Sequence, residues 1–149
     1  MRTTANHESL VNYINRKNWW HVPPQDSSAY SKRGIFYSTT FRNAEFWGRP
    51  LDEPQKVQIR RPIVGDEPTV QKSLFGRVAP IPADDHEYLS WRFDIDARMK
   101  RAALKRGHDS IVILSKVGFE RYRVEGRIPR GMELNVLVYP SPQPKHDLG

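Results

Sequence analysis

The chain has 149 residues with 38% apolar and 11% aromatic content, enough for one domain around one core. It contains no cysteine, which excludes disulfides and thiolate metal sites and fits a reducing, cytoplasmic compartment. No run approaches the roughly 20 apolar residues of a membrane span, the opening residues lack the apolar centre of a secretory signal, and a net charge of +7 favours anionic partners.

In chain order, Leu10, Tyr13 and Ile14 fall on one helical face, so a short helix is expected over Glu8 to Lys17, with Asn6 as a cap. Trp19 to Val22 reads as a short strand stopped by Pro23-Pro24. Gln25 to Arg33 is polar and turn-like, hence a surface loop. Ile35 to Ser38 is a second strand, with Gly34 giving backbone freedom before it. Asn43 is placed to cap a brief helix carrying Ala44, Phe46 and Trp47, which Gly48 and Pro50 end.

Lys56 to Ile59 alternates polar and apolar, as a strand does. Pro62 to Pro68 reads as a connecting loop, Thr69 to Phe75 as one more short helix, and Arg77 to Asp85 as loop. From His86 to Arg106 the helical period carries Trp91, Ile95, Met99 and Ala102, the longest helix, stopped by Gly107. Ser110 to Leu114 is a β-branched strand expected near the sheet centre. Arg121 to Val124 is a candidate strand, and Glu133 to Tyr139 the last one, closed by Pro140. Residues 141–149 read as a flexible tail. The expectation is a single α+β domain over residues 1–140, with about six short strands and one long helix.

Three groups of residues carry chemistry. His21, at a strand end, can present a ring nitrogen to a ligand hydroxyl, although a histidine there is more often bonded to backbone. The five histidines show no ligand spacing, so no metal is expected. Phe36, Tyr37, Phe41, Phe46 and Trp47 are flat faces able to grip a planar, partly cationic ring; core packing is the commoner use of such residues. Alternation puts Phe36 and Tyr37 on opposite faces of their strand. Ser38-Thr39-Thr40 adds hydroxyls. Glu133 opens an apolar strand, where a carboxylate can stabilise positive charge developing on a sugar, or simply remain solvated. Glu120 and Glu125 are its rivals. No phosphate-binding loop and no G-x-S-x-G elbow is present.

Taken together, these segments resemble the ADP-ribosyltransferase-like family, in the His–Tyr–Glu branch that includes diphtheria-type toxins and poly(ADP-ribose) polymerases. Trp20-His21-Val22 is similar to the family's aromatic-His-Gly step, with Val22 in place of glycine. Gly34-Ile35-Phe36-Tyr37-Ser38, followed by Ala44-Glu45-Phe46, is similar to its second strand and small helix. Gly107-His108-Asp109-Ser110-Ile111-Val112 and the strand led by Glu133 resemble its C-terminal part.

The resemblance implies a split, twisted β core and a mono-ADP-ribosyltransferase that uses NAD as substrate and no metal. His21 would hold the ribose, Trp20, Phe36, Tyr37, Ser38 and Phe46 would line the nicotinamide pocket, and Glu133 would be the catalytic acid. It is compatible with a toxin or effector. Gln25 to Arg33 and Lys116 to Pro129 lie where the family contacts acceptors, here either protein or nucleic acid. Two other readings stand beside it: a non-catalytic, basic nucleic-acid-binding module, and an inactive relative of the same fold acting as an interaction protein.

Overall fold

The computed structural model describes residues 3–138, with side chains from His7 onward. The expected tail at 141–149, and the end of the last strand at Tyr139 and Pro140, lie outside them. Six helices and five strands follow one another along the described chain: α1 (Thr3–Arg16), β1 (Trp20–His21), α2 (Ala29–Arg33), β2 (Ile35–Ser38), α3 (Phe41–Glu45), β3 (Pro62–Gly65), α4 (Glu67–Phe75), α5 (Asp85–Lys105), β4 (Ser110–Ile113), α6 (Lys116–Glu125) and β5 (Glu133–Val136). The strands form one mixed sheet in the order β1-β2-β5-β4-β3. Only the β3–β4 pair is parallel. The sheet is continuous, in place of the expected split core.

Register sorts the side chains onto two faces, because directly paired residues share a face. Tyr37, Leu134 and Val112 are paired across β2, β5 and β4, as are Ile35, Val136 and Ser110. This face is closed by Leu10 and Ile14 of α1 and Tyr122 of α6. The Tyr122 hydroxyl and His7 Nδ1 share a hydrogen bond of 2.9 Å that ties those two helices together. On the other face, α4 and α5 bury Val70, Leu74, Ile95, Met99 and Ala103 against Ile111. They cover the β3–β4 side, and the β1–β2–β5 side of that face is left uncovered by them.

Several sequence expectations are corrected, each for a local reason. Pro62–Gly65 is a strand, because β3 is an edge and its leading proline needs no ladder donor. The Asp109 carboxylate fixes the approach to it by accepting from the N–H groups of Arg60 (2.8 Å) and Arg61 (2.9 Å). Arg121 to Val124 is helical, within α6. The Ser115 side chain caps that helix at Gly118 N–H (2.9 Å), and Gly126 ends it at φ +74°. Lys56 to Ile59 buries Val57 and Ile59 as its alternation implies, yet forms no strand. The Asn15 side chain takes the place of a neighbouring strand, bonding both the N–H (2.9 Å) and the C=O (3.0 Å) of Ile59.

The second half of Gln25 to Arg33 is helix α2, which buries Ala29 and Tyr30. Lys100 of α5 holds it by donating to the Ser31 carbonyl. The brief helix near Asn43 begins earlier than expected. Thr40 is its cap, with its side-chain oxygen accepting from Asn43 N–H at 3.0 Å.

Gly34 joins α2 to β2 with φ +96°, and a Cβ there would lie 2.1 Å from Asn135 Oδ1. Gly34→Ala is therefore expected to lower the unfolding free energy by about 2 kcal/mol or more, through both the backbone strain and the clash. Urea denaturation measures this, and an unchanged midpoint would contradict the turn geometry.

Candidate functional site

The uncovered part of the sheet is the floor of a cleft of about 590 Å³. Trp20, Ser38, Glu133 and Ile113 form one cross-strand row on that face, and Phe36, Asn135 and Ile111 form the next. All seven line the cleft. One wall is α5, through Leu89, Arg92, Phe93, Asp96 and Met99; Val22 to Asp26, Tyr30 and Trp47 also line the cleft. The volume falls within the roughly 300–1,000 Å³ usual for small-molecule sites.

Glu133 is the acid of the floor. Ser38 lies directly across the β2–β5 ladder, and its hydroxyl donates to both carboxylate oxygens, at 3.0 and 3.3 Å. Burial pushes the carboxyl up to about 7, and the Ser38 hydroxyl pulls it back only in part. Glu120 and Glu125 sit on α6, exposed and paired with Arg123 and Arg127. A half-buried carboxylate with one hydroxyl donor, on an aromatic floor, attracts a cationic or charge-developing ligand atom.

The aromatic residues divide. Trp20 and Phe36 belong to the floor, and Trp47 reaches the rim. Trp20 is packed edge-on against Phe41, with ring centroids 5.2 Å apart. Two residues expected in the pocket stand elsewhere. Tyr37 alternates to the opposite face and is 3% exposed in the core beside Leu134, while Phe46 is 80% exposed and lines no part of the cleft. Its ring is packed edge-on against Trp47 instead.

His21 is 2% exposed at the sheet edge, between the rings of Tyr30 and Tyr37. The Phe36 carbonyl can only accept, so Nδ1 carries a hydrogen and donates to it at 2.7 Å. In the neutral ring Nε2 then accepts from the Tyr30 hydroxyl, 2.9 Å away. Both nitrogens are engaged, so His21 would reach a ligand hydroxyl only by releasing Tyr30. The geometry suits a residue that fixes the position of Tyr30 in the cleft wall.

A charged cluster in the α5 wall carries no motif in the sequence. Arg92 bonds Glu67 at 2.6 Å and Asp96 at 3.0 Å, pinning the start of α4 to α5. Burial opposes the Arg92 charge, but Asp96 and Glu67 outweigh it and its pKa rises. Burial pushes Asp96 up to about 6, against the pull of Arg92. The Arg33 guanidinium lies over the Phe93 ring, 3.7 Å from its centroid. The signal for this wall was the spacing of Leu89, Arg92, Phe93 and Asp96, one helical face of mixed character. Within the floor, Asn135 donates to the Arg33 carbonyl at 2.9 Å, and its Oδ1 is sealed in without a hydrogen-bond partner among the described residues.

No group of three or more metal-ligating side chains stands together among the described residues, and no helix there is long and apolar enough to cross a membrane. No protein-family model, characterised protein or solved structure matches the chain.

A carboxyl whose folded pKa is raised costs stability above its unfolded value of 4.5, and in full above about 7. Glu133→Gln is therefore expected to raise the melting temperature at about pH 8 and to leave it little changed at about pH 4. Thermal melts at the two pH values test this, and a lower melting temperature at the higher one would show the carboxylate to be a structural support.

Proposed function

We propose that the protein cleaves the nicotinamide–ribose bond of NAD and transfers ADP-ribose to an acceptor. The observation that carries this reading is the Glu133 carboxylate, held by Ser38 on a floor whose other large groups are the flat faces of Trp20 and Phe36. The resemblance of the three segments to the ADP-ribosyltransferase-like family supports it.

The chemistry follows from the charges. Nicotinamide in NAD is a planar cation, which aromatic faces attract and a neighbouring carboxylate attracts further. As the glycosidic C–N bond breaks, its electron pair leaves with nicotinamide, which becomes neutral. Positive charge moves to the ribose C1′ and ring oxygen. The Glu133 carboxylate faces that charge in a half-buried site, where electrostatic stabilisation is stronger than in water. An acceptor nucleophile then bonds to C1′ and gives up its proton to solvent. Ser38 keeps the carboxylate aimed, and the His21–Tyr30 pair fixes the wall beside it. Phe36 stands where the family often has tyrosine and offers a ring face with no hydroxyl.

Glu133→Gln is expected to slow nicotinamide release by about 100-fold or more, the scale seen when a charge-stabilising group is lost. Chromatographic assay of nicotinamide measures it, and turnover equal to wild type would remove Glu133 from the mechanism. Because the anionic form is needed, the wild-type rate should rise through about pH 7 and level off above it. Phe36→Ala is expected to weaken NAD binding by about tenfold, read by calorimetry; unchanged affinity would place the ring elsewhere.

A further inference from the structure

A second cavity, of about 710 Å³, also has Glu133 in its wall. It is bounded by the end of β4, the first turns of α6 and residues 127–133, with Asn43 of α3 on its border. Its character is opposite to that of the cleft. Arg121, Arg127 and Arg130 line it, all three exposed, and Glu133 is the only acid among its lining residues. Arg127 has a loose ion pair with Glu125, 3.8 Å apart, whereas Arg121 and Arg130 have no salt-bridge partner among the described residues.

Asn43 links this basic cavity to an aromatic surface. Phe46 follows directly on α3 and stands beside Asn43, its N–H donating to the Asn43 carbonyl at 3.3 Å. Its ring is 80% exposed and serves no core. Phe41, at the other end of α3, is 39% exposed. Guanidinium groups in a groove beside solvent-facing rings are the combination that holds a single strand of nucleic acid. The cations take its phosphates and the rings stack on unpaired bases. A duplex keeps its bases out of reach of such rings.

We infer that the cavity lined by Arg121 and Arg130, with the exposed Phe46 three residues beyond its Asn43 border, is the acceptor site and takes single-stranded nucleic acid. The inference rests on the reading of Glu133 as the group that stabilises C–N cleavage. Glu133 lies in the wall between the two cavities, so a strand in the basic one presents its nucleophile to the ribose held in the other. A base nitrogen or sugar hydroxyl forms the bond to C1′, nicotinamide leaves with the electron pair of the broken bond, and the acceptor's proton goes to solvent.

The test is fluorescence anisotropy of the full chain with labelled thymidine and uridine oligomers of about twelve nucleotides, without NAD, over a range of salt. Binding is expected to weaken steeply with salt. The Arg121→Ala/Arg130→Ala double variant should bind about tenfold more weakly at low salt, with a salt slope smaller by about 1.4, the loss of two phosphate contacts on a single strand. Phe46→Ala should weaken binding several-fold with the slope unchanged. All three side chains are exposed, and thermal melts confirm that the variants fold.

Absence of binding at low salt, or equal binding by the double variant, would overturn the inference. So would displacement of the oligomer by excess NAD, which would give the arginines to the dinucleotide's own phosphates. A preference for an acidic peptide over the oligomers would overturn it in favour of a protein acceptor. Because NAD is absent from the binding assay, its failure leaves the nicotinamide-release result standing, and the converse also holds.

Discussion

Strand β5 is hydrogen-bonded on both sides, to β2 and to β4, and the rest of the molecule is arranged around that double pairing. Its first residue, Glu133, is held opposite Ser38 on one side and Ile113 on the other. The same register sends Leu134 and Val136 into the core beneath α1 and α6. A slip of one residue would put Glu133 into that core and Leu134 into the cleft, reversing both faces. The apolar residues of the strand therefore fix the position of the acid, and the burial of Leu134, which is fully enclosed, enforces it.

The cleft follows from unequal coverage of the sheet. Helices α1 and α6 close one face, while α4 and α5 close only the β3–β4 side of the other. Beside the buried Ile95 and Met99, α5 turns the charged pair Arg92 and Asp96 toward the cleft. Buried ion pairs gain little net stability, since desolvation offsets most of the attraction. The cluster does fix the geometry of the wall, because Arg92 joins the start of α4 to α5 through Glu67. The raised pKa values of Asp96 and Glu133 come from burial on the two sides of one cavity.

The fold was legible in the sequence where one force decided the local structure. β2 falls on the residues expected of it, because four consecutive positions sit between a glycine and a hydroxyl-rich turn. The long helix and the strand after it lie within a residue or so of their expected limits, since helical period and a terminal Gly107 act together. The misreadings are places where a tertiary partner decided. Asn15 replaced a strand beside Ile59, and Asp109 organised the approach to β3 across 48 residues of sequence. Caps at Ser115 and Thr40 outweighed the pattern read at Arg121 to Val124 and at Asn43. Of the site, the floor was legible through alternation, which separates Phe36 from Tyr37. The α5 wall was not, because an arginine and an aspartate four apart on a helix usually face solvent; here packing against α4 turned them inward.

The bond between Ser38 and Glu133 spans 95 residues, and the strand that completes it is the last of the described chain. During synthesis, β1, β2, β3 and β4 leave the ribosome before the strand that joins β2 to β4 exists. Until then the sheet is two fragments, each with an unpaired edge, and loop-closure entropy makes the final pairing slow relative to the local helices. The acid of the cleft and the ladder that closes the sheet thus arrive together. A nascent chain short of β5 lacks Glu133 and the strand that joins β2 to β4, so any activity housed in the cleft would wait for that pairing.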